Sequence, residues 1–129
     1  MKNEYLNKFI QLNERHLTPK EVIRDWNSFS EDIKSGYNWI PPELSNDLDI
    51  EREPIQQLIE NKNLSIFKEH KDFIKAIVDI DEYIKDRCYV NKRRETKYWW
   101  HDIILKKAGP IYCEFAWNEY RNFKIEKIG

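Results

Sequence analysis

The chain has 129 residues, and its 22 lysines and arginines against 23 aspartates and glutamates leave a formal net charge of -1. That length fits a single domain of about 100–150 residues with one core, and the near-neutral balance does not favour a generic nucleic-acid binder. Only 3 glycines exclude Gly-rich phosphate loops, a nucleophile elbow and turn-dense β architectures, while 14% aromatic residues set the chain apart from disordered sequences.

In chain order, Tyr5, Leu6, Phe9, Ile10 and Leu12 recur at helical spacing and predict a helix over residues 3–17. Thr18-Pro19-Lys20-Glu21 is the strongest local start signal: a capping residue, a proline at the first helical position and a glutamate three after the cap. The helix it opens carries Val22, Ile23, Trp26, Phe29 and Ile33 and stops at Gly36. Ser28 and Glu31 offer a second capping box at which it could break.

Residues 37–53 read as the least helical part, with Trp39, the pair Pro41-Pro42 and a run rich in acids. Pro54 is placed to open a short helix with Ile55, Leu58 and Ile59. A long helix is expected from residue 65 to about residue 89, with Phe67, Phe73, Ile77, Ile80 and Ile84 on a broad apolar face. A further helix carrying Tyr98, Trp99, Ile103, Ile104 and Leu105 is expected to end at Gly109-Pro110. The last segment fits a helix to about residue 123 or alternating strands, with Pro110 favouring the helix. The sum is an all-α single domain over residues 1–129, an irregular bundle of about five to seven helices with room for a short C-terminal extended segment. Trp26 and Trp117 are expected inside and Trp39 at least partly exposed.

Cys88 and Cys113 have no CxxC or Cys/His spacing, which predicts two buried reduced thiols rather than structural zinc. No apolar run follows Met1-Lys2-Asn3-Glu4, and no apolar stretch is long enough to span a bilayer. A cytoplasmic chain without leader or membrane partner is therefore expected.

Charge is unevenly spread. Residues 1–60 hold 7 lysines and arginines against 12 acids, and residues 61–129 hold 15 against 11. The acidic excess lies at Glu43, Asp47, Asp49, Glu51 and Glu53, interrupted by Arg52. Carboxylates held near one another can mimic the phosphates a basic cleft expects, and complementary potentials raise on-rates. With Tyr37 and Trp39 as aromatic anchors, these residues form the candidate partner-binding set. The basic excess lies at Lys92, Arg93, Arg94 and Lys97. Beside Tyr98, Trp99 and Trp100 it could touch RNA through charge and stacking, but one short run is weak support for a nucleic-acid partner.

Catalytic patterns are sparse. His16, His70 and His101 lie in no metal-binding spacing, so neither a metal site nor a cofactor is expected. Asp79, Asp81 and Glu82 read as a solvated helix face. Arg94 and His101, with six residues between them, resemble the arginine–histidine pair of HEPN-type helical ribonucleases, although Glu95 stands where a polar Asn or Asp often follows the arginine. That resemblance implies a metal-independent ribonuclease in which the pair acts on an RNA 2′-OH and phosphate.

Compact length, helical pattern, aromatic richness and the acidic stretch 43–53 make the whole chain similar to small bacterial immunity proteins, especially those paired with contact-dependent growth inhibition toxins. That resemblance is one of type, with no signature motif. It implies a non-enzymatic protein in a tight complex with a cognate toxin, often a basic nuclease domain, whose active site it blocks.

Overall fold

The computed structural model describes residues 4–90, Val90 by its backbone alone, and residues 98–129. Helices dominate, as the sequence predicts. Six α-helices among the described residues, α1 Glu4–Leu12, α2 Pro19–Gly36, α3 Pro41–Glu60, α4 Lys62–Ser65, α5 Glu69–Lys85 and α6 Pro110–Glu119, surround one core. Four short strands among the described residues complete it: β1 Cys88–Val90, β2 Ile103–Leu105, β3 Lys107–Ala108 and β4 Glu126–Lys127. No helix among the described residues is long and apolar enough to cross a membrane.

The start of α2 follows its sequence signal. The Thr18 hydroxyl accepts from the Glu21 N–H at 3.2 Å, and the Glu21 carboxylate accepts from the Thr18 N–H at 3.0 Å. That charged acceptance holds the Glu21 carboxyl below its usual range. The helix runs unbroken past Ser28 and Glu31 to Gly36, whose φ of +101° suits a residue without a side chain.

The stretch 37–53, expected to be the least helical, is mostly the first two-thirds of α3, the longest helix. Pro41 and Pro42 occupy its first turn, where a missing N–H matters little and a fixed φ helps. Leu44, Leu48, Ile55 and Leu58 then recur every three or four residues, skipping a turn at Arg52, and all are buried. Pro54 opens no new helix; it lies inside α3 on its exposed side. Packing of the opposite face outweighs the hydrogen bond its ring removes.

The long helix expected over 65–89 is shorter, since α5 covers only Glu69–Lys85 and Cys88–Val90 is a strand. Of the helix expected between Asn91 and Gly109, residues 91–97 lie outside the described residues, and from residue 98 the chain forms a single 3-10 turn, Trp99–His101, followed by β2. Ile103, Ile104 and Leu105 are all buried, so the segment has no polar face to offer a surface helix. It pairs antiparallel with β1, with Cys88 opposite Leu105 and Tyr89 opposite Ile104. After α6, the expected C-terminal extended segment appears as β4, parallel to β3. Trp26 is buried as expected, but Trp117, expected inside, is 45% exposed, with its indole N–H on the Ile125 carbonyl at 3.0 Å. Both cysteines are free and buried, and burial pushes the Cys88 thiol up to about 12.

Candidate functional site

Helix formation divides the acidic run. At about 100° per residue, Glu43, Asp47 and Glu51 form one stripe of α3, and Asp49 and Glu53 form another roughly 120–160° round the axis from Asp47. Arg52 lies between them on the buried face.

The first stripe meets the segment joining α2 to α3. Tyr37 donates its hydroxyl proton to Asp47 Oδ2 at 2.8 Å. Burial, and next that hydrogen bond, push the Tyr37 hydroxyl above its usual range, so it stays a neutral donor. The Tyr37 carbonyl accepts from the Gly109 N–H at 2.9 Å. Asn38 Oδ1 accepts from the Ile111 N–H at 2.7 Å, supplying α6 with the N-terminal cap that Gly109 cannot. A Cβ at Gly109 would lie 2.5 Å from the Asn38 side chain, so this close approach requires glycine. Trp39 follows these anchored residues and is 52% exposed, large for a tryptophan. It borders a shallow hollow of about 420 Å³ lined also by Asp32, Ser35 and Asp47. Farther along α3, Glu51 enters a larger cleft of about 490 Å³, in which Leu12, Ile50 and Pro54 meet Glu14, Arg15 and Asp25.

The second stripe belongs to a polar network that the sequence reading missed. Arg52 and Asp81 are buried, with side chains only 3% and 5% exposed. Arg52 donates Nε to Asp81 Oδ1 at 3.0 Å and Nη2 to Oδ2 at 2.8 Å, the two-pronged fit of guanidinium to carboxylate. Trp26 Nε1 donates to the same Oδ1 at 3.0 Å. The Arg52 guanidinium also lies over the Trp100 ring, 4.4 Å from its centroid. Asp81 is thus the exception in the trio expected to be solvated; Asp79 and Glu82 are exposed. The clue was spacing: Arg52 falls four after Leu48, and Asp81 four after Ile77, each on its helix's apolar face.

From Trp100 the network reaches the surface. Its Nε1 donates to Glu53 Oε1 at 3.1 Å, and the same oxygen contacts His101 Nε2. Tyr98 stacks on Trp100 at 4.5 Å and 3° and donates its hydroxyl proton to Glu60 at 2.9 Å. Asp49, Glu53 and His101 therefore converge, each placing a ligand-type atom within 4.8 Å of the others. Lys92, Arg93, Arg94 and Lys97 lie outside the described residues, so the Arg94–His101 geometry does too. Compared with protein-family models, curated proteins and solved structures, the chain matches none.

Proposed function

We propose that the chain is a binding protein of immunity type, which neutralises a cognate toxin by covering a basic surface with the face built from Tyr37, Trp39, Glu43, Asp47 and Glu51. The observation that carries this reading is Trp39, half exposed beside neighbours that are hydrogen-bonded into the fold. An exposed indole on an anchored segment loses little conformational entropy when a partner covers it, and tryptophan is among the residues most enriched at interface hot spots. The flanking carboxylates favour a basic partner, steer its approach and disfavour neutral or acidic surfaces. Glu53, expected in the same set, already holds Trp100 and His101. The cytoplasm, where a nuclease toxin would act, is the compartment this role implies. Co-purification from the native host followed by mass spectrometry tests the reading. It predicts a stoichiometric basic protein, toxic alone, that the Trp39→Ala variant fails to retain. Recovery of RNA in place of a protein would contradict it.

The ribonuclease reading keeps one observation in its favour: a carboxylate holds the His101 ring, as acid–base histidines are commonly held. It predicts RNA cleavage by the purified protein that His101→Ala abolishes with the fold intact.

A further inference from the structure

We infer that Asp49, Glu53 and His101 form a binding site for one divalent transition ion, with zinc the best-suited. The three come from two elements far apart in sequence: the carboxylates one turn apart on α3, and the imidazole on the 3-10 turn Trp99–His101. Their donor atoms lie within 4.8 Å of one another. Bound zinc takes histidine nitrogen and carboxylate oxygen at about 2.0–2.2 Å, which sets neighbouring ligand atoms about 3.3 Å apart in a tetrahedral shell. To take up that spacing, the touching Glu53 and His101 donors would part around the ion and exposed Asp49 would turn toward them, with water as the fourth ligand.

Three features distinguish this set from a solvated group of acids. One donor is an imidazole nitrogen, which hard-ion sites built of oxygen alone do not use and zinc prefers. The two carboxylates converge although no lysine or arginine among the described residues pairs with either, and Glu53 meets the His101 imidazole instead. A divalent ion would neutralise both carboxylates while leaving His101 uncharged. The Glu53 carboxylate also accepts from the buried Trp100 N–H, and the Trp100 ring is covered by Arg52, itself paired with Asp81. Outer hydrogen bonds of this kind fix metal ligands, and their removal typically weakens metal binding 10–100-fold. The inference does not depend on the toxin-binding reading, because Asp47 lies on the other stripe of α3 and Trp39 precedes that helix.

Isothermal titration of the chelator-treated full chain with zinc chloride tests it. The expected result is one ion per chain, with affinity reduced at least tenfold in His101→Ala and in Asp49→Asn. Asp49 is exposed, so its variant keeps the fold. His16→Ala, the exposed histidine elsewhere, should bind as the wild type does. Cobalt substitution adds a spectroscopic check: ligand-field bands without thiolate-to-cobalt charge transfer are expected, since both cysteines are buried and neither belongs to the cluster. No saturable binding, affinity unchanged in both His101→Ala and Asp49→Asn, or a thiolate band would each overturn the assignment.

Discussion

On one flank of α3, Glu53 is held by Trp100 and His101, and behind it Arg52 is closed on Asp81. On the other, Asp47 shares a shallow hollow with Trp39, which turns half its surface to water. Carboxylates and tryptophans are the raw material of both. The indole of Trp100 is spent inside the fold, donating to a carboxylate and covered by a guanidinium. That of Trp39 is held in place by its neighbours while its own ring remains open. The comparison teaches that burial of the aromatic partner, rather than the number of acids, separates structural charge from charge offered to a partner.

The largest expected effect comes from breaking the buried side. Asp81→Ala leaves the Arg52 cation without its partner, and Arg52 Nη1 already lacks a hydrogen bond among the described residues. A loss of about 3–5 kcal/mol is expected in urea unfolding, a large share of the about 5–15 kcal/mol of an ordinary domain. A loss under about 1 kcal/mol would mean that water reaches the pair. Trp39→Ala should do the reverse: unfolding stability within about 0.5 kcal/mol of wild type, and partner affinity lower by about 2 kcal/mol or roughly 30-fold.

Alkaline pH probes the core between the flanks. The Cys88 thiol has its folded value raised from 9.0 to about 12 by burial, so the native state keeps a proton that the unfolded chain releases. Its contribution is complete below the unfolded value and declines as pH rises from there toward the folded one, by up to about 1.4 kcal/mol per unit. Urea melts across that range should fall more steeply for wild type than for Cys88→Ala. Thr18→Ala, which removes the capping box of α2, should lower stability by about 1 kcal/mol. At the small end, Asp79→Ala breaks the exposed Lys75–Asp79 pair and should change stability by no more than about 0.5 kcal/mol, in contrast to Asp81 two residues later.

Much of the helical frame was legible. The capping signal at Thr18 and Glu21, the stop at Gly36 and the start at Pro110 are local, and local signals survive folding. The reading of 37–53 as the least helical part gave weight to Pro41, Pro42 and a dense run of charge. Leu44, Leu48, Ile55 and Leu58 supply a spaced apolar face that tertiary packing rewards. The segment around Tyr98, Trp99 and Trp100 went the other way, because aromatic density does not distinguish a helix face from a buried strand. Tyr37 and Asp47 were grouped by the sequence into one candidate binding set, and the fold brings them into contact. Glu53 and His101 were not, since 48 residues separate them and only packing brings them together. The Arg52–Asp81 pair could have been found from two charged residues standing in apolar spacing.

The division of α3 into two flanks is tested most directly by titrating the co-purifying partner against three chains: wild type, the double variant Trp39→Ala/Asp47→Ala, and Glu53→Gln. Affinity should drop at least 100-fold for the double variant and stay within about threefold of wild type for Glu53→Gln, as hot-spot truncation and a remote conservative change predict. Equal losses from the two, or a greater loss from Glu53→Gln, would contradict the assignment of partner binding to the Trp39 flank.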